Sequence, residues 1–421
     1  MQIKMKKFIY LCTLLAALQS CKKEAFDYSI YQPQVSDIDS IAFFTGSPSL
    51  IADGKASLQF VLEAFRKVQI KASNGQLKDT MMFVDYRALP SSEVRFYADG
   101  QLTTGAEFST SLSSKASLEF YAQIGQIKSK VKTVKILKPI AVAEKRYVDV
   151  IFHVFELSTT DPAYDALTYQ EVPPKYLQAA IEYANLVFSN SFGKDPNGAA
   201  AGIEFRLAKT NASGGGLAVP GYNKIIYDAS WKASPTANFV PANFWNKVNS
   251  TVGYQWNKDK FLNIYVMPSS ANNSIGNNRA AYQIVPAGQA PLQGITNTVN
   301  SAADVPTNDF YTNYGLGVHR TVFFPGADRK IEIASYLGLY YGLYRGTDAA
   351  DYVSDTRKYS LTGNNQKDLL KVGLDGEKFL ANNAMDDIRY GSLRNCFTQG
   401  QVNRMRLVMD RSPVRKSWFL N

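Results

Sequence analysis

From about residue 36 to residue 137, apolar and polar side chains alternate in short runs: Leu58 to Leu62, Lys67 to Lys71, Val94 to Tyr97, Leu118 to Tyr121 and Lys130 to Ile136. A period of two turns one side of each run to a core and the other to water, which predicts half-buried strands. Asp53-Gly54, Asn74-Gly75 and Asp99-Gly100 mark turns between them. Beyond residue 147 the pattern changes. Val148 to Phe155 (VDVIFHVF) is continuously apolar and suits a sheet interior, as do Gly202 to Ala208 and Phe261 to Met267. Pro173-Pro174 opens a helix running to Phe188, with Leu177, Ala180, Ile181, Ala184 and Val187 at helical spacing. Lys330 to Tyr344 predicts a helix apolar on nearly every side, hence buried. Thr398 and Gln401 stand at capping-box spacing and start a last helix, with Val402, Met405 and Met409 on one face, ended before Pro413.

These patterns predict a multidomain chain. Residues 36–139 read as an all-β sandwich of immunoglobulin type, since short strands recur with turn signals at the right intervals. Residues 140–146 form a short linker, and residues 147–421 an α/β domain. Ser47 to Leu62, with Ala52-Asp53-Gly54, is similar to the opening of bacterial Ig-like surface domains.

The first residues are not part of either domain. Lys4, Lys6 and Lys7 precede an apolar run of 11 residues, Phe8 to Leu18. That is short of the roughly 20 residues a membrane-spanning helix needs, but it suits a signal peptide over residues 1–20. The run ends in Leu18-Gln19-Ser20-Cys21, which resembles the lipobox of bacterial lipoproteins. The resemblance implies that Cys21 is acylated and becomes the first mature residue, with residues 21–35 as a tether. An ordinary secretory signal is the other reading. The expected location is the cell envelope, anchored in the lipid of the outer membrane on its periplasmic or surface face. No later apolar stretch is long enough to span a bilayer.

The chain carries +10, and loss of Lys4, Lys6 and Lys7 leaves +7. The positive residues are scattered, which argues against nucleic acid as a partner. Of three cysteines, only Cys396 lies in the folded body, so an internal disulfide is excluded, and no CxxC motif exists. There are two histidines, His153 and His319.

Several segments, in order, are similar to the metzincin zinc peptidases, most nearly the pappalysin-like branch, over most of residues 147–421. Val150 to Val154 resembles the first core strand and Trp256 to Val266 the strand before the active-site helix. Asp351 to Thr356 resembles the segment after the zinc motif. Asn383-Ala384-Met385-Asp386 resembles the Met-turn, with Met385 as its methionine, and Cys396 to Gln401 with Arg404 to Arg406 the final helix. Family members bind zinc through H-E-x-x-H-x-x-G-x-x-H, in which the glutamate is general base. The matching stretch runs from Ser335 to Arg345. Gly342 fits, but Ser335 stands at the first histidine, Tyr336 at the glutamate, Leu339 at the second histidine and Arg345 at the third. A leucine has no lone pair to give, an arginine stays cationic, and a tyrosine with a pKa of about 10 is a weak base at neutral pH. Relatives commonly pair a cysteine near the position of Cys396 with one before the Met-turn, and none lies between Arg345 and Met385 here. The resemblance therefore implies a metzincin fold without zinc, a pseudopeptidase.

For the other candidates the bland reading leads. His153 reads as a core histidine, Cys396 as a buried thiol rather than a nucleophile paired with His319, and Asn211 to Gly216 as a surface loop lacking a phosphate-loop lysine. The tyrosines Tyr336, Tyr340, Tyr341 and Tyr344 read as core, with a peptide or glycan groove as the alternative. Two readings of Arg345 stand: an ion pair with Asp351 or Asp386 that replaces the metal's charge, or a cation facing solvent at a helix end. The leading function is a non-catalytic lipoprotein that binds a peptide, protein or glycan; the alternatives are an active zinc endopeptidase with replaced ligands and a purely structural envelope protein.

Overall fold

The computed structural model describes residues 31–141, 144–162, 164, 172–226, 240–267, 279–323, 332–387 and 393–415. Cys21 and the signal segment lie outside the described residues.

The N-terminal module is two packed sheets. One is antiparallel and three-stranded, in the order Ser40–Phe44, Val61–Lys71, Leu77–Val84. The other runs Ser49–Ile51, Lys132–Leu137, Ser117–Ile124, Val94–Ala98, Gln101–Leu102. Phe43 and Leu62 from the first sheet meet Phe96 and Phe120 from the second in one apolar core, and the rings of Phe60 and Phe96 stack at 5.5 Å. The period-two pattern is realised in Ser117–Ile124, where Phe120, Ala122 and Ile124 point inward. Asp99 (φ 47°) and Gly100 (φ 79°) form the two-residue hairpin turn expected of Asp-Gly.

The second domain is built on an all-parallel sheet. Its strands are β1 (Arg146–Glu156), β2 (Ile203–Leu207), β3 (Tyr222–Ile226), β4 (Leu262–Met267) and β5 (Gly315–His319). The order is β2-β1-β4-β5, and β3 takes over from β2 beside the second half of β1. The helices are α1 (Pro174–Phe188), α2 (Pro241–Ser250), α3 (Phe310–Tyr314), α4 (Glu332–Tyr340) and α5 (Gln399–Arg411). Val148, Val150, Phe152 and Val154 of β1 face a core shared with α1, α4 and α5. Phe155 faces the opposite side, against Phe244 and Val248 of α2 and Phe310 and Tyr314 of α3. Both faces of β1 are covered, which is why its sequence is apolar throughout. Among the described residues no helix is long and apolar enough to cross a membrane.

The sandwich is not a free spacer. Asn197 donates to the Ser47 hydroxyl at 2.7 Å and accepts from Ser49 at 2.9 Å, and the Ile51 N–H donates to the Pro196 carbonyl at 2.8 Å. Lys132 pairs with Glu377 and Lys378 with Glu63 across the same junction.

Candidate functional site

Helix α4 carries the aligned motif. Ile333, Ala334, Leu337, Leu339 and Tyr340 are all buried in the main core, as its apolar sequence demands. The helix ends at Tyr340 rather than at the predicted Tyr344, because the chain leaves it in a Schellman turn. Gly342, at φ +83°, donates its N–H to the Leu339 carbonyl at 2.9 Å, and the Leu343 N–H reaches the Gly338 carbonyl at 2.9 Å. Only glycine adopts that φ without strain, and a Cβ there would lie 2.8 Å from Val408. The left-handed turn of the motif is thus kept.

Two arginines hold the carbonyls that this helix end leaves free. Arg404 of α5 donates to the Gly342 carbonyl and to the Gln293 carbonyl, each at 2.7 Å. Arg415 donates to the Tyr340 carbonyl at 2.8 Å while its guanidinium lies 3.7 Å from the centre of the Tyr340 ring. Cations suit a helix C-terminus. The sequence placed Arg404 in the last helix without a partner and did not point to Arg415, since nothing in the local pattern distinguishes a buried arginine from a solvated one.

Met385 packs against α4. Its sulfur would be 2.8 Å from a Cβ on Gly338, and the Ser335 hydroxyl donates to the neighbouring Ala384 carbonyl. The turn around it is fixed by Asn383, whose side-chain oxygen accepts from the Met385 N–H at 2.8 Å and whose amide donates to Gln401 at 2.7 Å.

The donor set at the four aligned positions does not fit a zinc ion. Ser335 spends its hydroxyl proton on Ala384, Leu339 is enclosed in the apolar core, and Tyr336 is half-buried and packed against that core. Arg345 is half-buried and brings a fixed positive charge. Among the described residues no group of three His, Cys, Asp or Glu side chains is placed to hold a metal.

The proposed Arg345 ion pair does not form with either partner. Asp351 accepts from the Thr356 hydroxyl and faces Lys358 at 3.7 Å. Asp386 accepts from the Asn383 N–H at 3.0 Å. Arg345 is instead positioned through its backbone, whose N–H donates to Asp348 at 2.7 Å, and Asp348 pairs with Arg279 at 2.6 Å. The carboxylate that organises this loop was too close in sequence to look like a partner.

His153 is a core residue, as expected. Its ring nitrogens meet Asn263 and Asn223, each at 2.9 Å, and burial holds its pKa down at about 4. His319 is half-buried at the end of β5. Cys396 is a buried free thiol directed at the Asn382 carbonyl, and burial with Asp195 nearby pushes its pKa well up, away from nucleophilic use. Tyr340 and Tyr341 are core residues, and Tyr344 donates to the Gly294 carbonyl at 2.8 Å. Asn211 closes the glycine loop on itself by accepting from Ser213 and Gly215.

A cavity of about 240 Å³ lies between the two domains beside the Met-turn, lined by Ser47, Asp195, Asn197, Asp355, Met385 and Asp386 among others. Burial, with Asp195 adding repulsion, pushes the Asp386 carboxyl up to about 7. Asp355 caps α5 by accepting from Thr398 at 2.8 Å and from the Gly400 N–H at 2.7 Å.

Residues 246–410 match the peptidase family described as Pregnancy-associated plasma protein-A. Mature mirolysin of Tannerella forsythia, solved in complex with a cleaved peptide, is 18% identical at a TM-score of 0.45, over 65% of this chain and 96% of that one. Mirolysin in complex with compound 9 is 18% identical at a TM-score of 0.42, over 65% and 96%. No curated protein matches the chain.

Proposed function

Since the chain carries a pappalysin-like, metzincin-type region behind a β-rich N-terminal module, we propose that it is an envelope lipoprotein that uses a catalytically silent peptidase fold for binding. One observation carries this reading: at the aligned zinc positions the Ser335 hydroxyl is bonded to the Ala384 carbonyl and Leu339, which has no donor atom, belongs to the apolar core, so a three-ligand set is missing there. The frame around them persists, in Gly342 and Met385, so what is missing is the reactive set and not the fold. The cavity beside the Met-turn is the place we assign to a peptide or protein ligand. Cys21, acylated, anchors the chain.

The test is to incubate the purified protein with casein, gelatin and a peptide library, with and without chelator, and to measure zinc after dialysis. The expected result is no chelator-sensitive cleavage and zinc well below one ion per chain. Chelator-sensitive cleavage abolished by Ser335→Ala or Tyr336→Phe would overturn the reading in favour of an active peptidase with replaced ligands.

A further inference from the structure

The hairpin of strands Val61–Lys71 and Leu77–Val84 breaks the usual rule for a half-solvated sheet, in which the outer face is polar. Large apolar side chains stand exposed on both of its faces, among polar ones. Leu77, Met81 and Phe83 share one side with Asp79, with Leu77 68% and Phe83 56% exposed, and Ile70 and Met82 stand exposed on the other. Among the described residues Phe83 meets Phe65 of the neighbouring strand in a ring contact, at 6.3 Å between centroids. Leu77–Val84 is also the outermost strand of its sheet. An apolar edge strand of this kind is an association hazard in free solution, so a chain that keeps one has something to cover it.

Two observations say what. The first is charge: from Arg66 to Phe83 the hairpin holds Arg66, Lys67, Lys71 and Lys78 against Asp79 alone. Lys67 is bound to Asp79 at 2.8 Å, while Lys71 and Lys78 flank the apolar residues at the tip. Lysines around exposed aliphatic and aromatic side chains suit an anionic lipid surface, where the stems lie along the apolar layer and the ammonium groups meet phosphates. The second is the place where the tether arrives. Tyr31, the first described residue, lies under the Arg66 guanidinium at 4.7 Å, and Arg66 is paired with Met82 across the hairpin. Cys21 is ten residues before Tyr31, so it stays within about 35 Å of the hairpin even with the tether fully extended.

We infer that this hairpin is a second, reversible membrane contact, which lays Leu77, Met81 and Phe83 into the headgroup region of an anionic bilayer beside the anchor. The inference rests on the reading of Cys21 as the anchor, but its test removes that anchor. The mature chain carrying Cys21→Ser, which cannot be acylated, is floated with vesicles of phosphatidylcholine and phosphatidylglycerol in equal parts. The expected result is flotation that weakens in high salt and falls roughly tenfold or more in Leu77→Ser/Met81→Ser/Phe83→Ser. Lys71→Glu/Lys78→Glu, at two exposed positions, should likewise abolish it, and decides the question if the triple variant does not fold. Failure of the unlipidated chain to float, or flotation that neither variant reduces, would overturn the inference. So would a dimer in sedimentation that the triple variant abolishes while flotation is absent, because the face would then be covered by a second copy. Failure of the anchor reading shows separately, as native protein whose Cys21 has the mass of an unmodified residue.

Discussion

Gly338 and Met385 are pressed together: a Cβ on the glycine would stand 2.8 Å from the methionine sulfur and 3.1 Å from the Phe397 ring. The helix that would carry zinc ligands therefore touches the Met-turn without any gap. Gly338→Ala adds a methyl where none fits, and overpacking of this kind costs about 1–3 kcal/mol, partly offset by the roughly 1 kcal/mol that alanine gains over glycine in a helix. Net destabilisation of about 1 kcal/mol is expected in urea unfolding; a variant more stable than wild type would mean that the contact is loose.

Gly342→Ala should cost more. It forces a side chain into the left-handed region, at about 1–2 kcal/mol, and against Val408 at 2.8 Å. Thermal unfolding of this variant below that of Gly338→Ala is the expected order.

Arg404→Ala removes donors to two carbonyls, at Gly342 and Gln293, in a place where Arg404 is buried. Hydrogen bonds from a charged group contribute about 1.5–3 kcal/mol each, so a loss of roughly 3–6 kcal/mol is expected. Arg345→Ala is the contrast. It breaks no ion pair with Asp351 or Asp386, and a change within about 0.5 kcal/mol is expected. Equal losses in the two variants would contradict this division of labour.

Asp386 makes a pH prediction. Its carboxyl is raised to about 7 in the fold against about 3.9 unfolded, so between those values the folded protein holds the extra proton. Its contribution is favourable below the unfolded pKa and is lost as pH rises to about 7. Asp386→Asn, which stays neutral, should therefore gain stability relative to wild type between pH 5 and pH 7.5. A constant difference across that range would rule out titration of this group. His153 works in the other direction, since its pKa is lowered to about 4 and its contribution is lost as pH falls from about 6.5 toward 4.

Much of the architecture was legible. The apolar run 148–155 foretold β1, the stripe from Leu177 to Phe188 foretold α1, and Thr398 with Gln401 foretold a capping box that the structure forms. β3, β5 and α3 were not seen: β3 (YNKII) and β5 (GLGVH) have their apolar residues diluted by polar residues or glycine, and the five residues of α3 are too few for a helical period to show. Side-chain partners were legible only where one residue type allows one role. Leu339 could not be a ligand anywhere, whereas the partner of Arg345 depended on a loop fold that places Asp348, and not Asp351, within reach.

The junction between the domains has a consequence for how the molecule can be handled. Polar contacts join them, such as Asn197 to Ser47 and Lys378 to Glu63. Partly exposed ion pairs contribute about 0–1 kcal/mol each, which is little against the several kcal/mol of freedom that two separate bodies lose on meeting. A linker of a few residues removes most of that loss, because it keeps the two surfaces at an effective concentration of about millimolar. The seating of the sandwich against the Met-turn is in that sense a property of chain continuity. Two halves expressed apart and mixed at micromolar concentration would stay strangers, although every contact between them remained available.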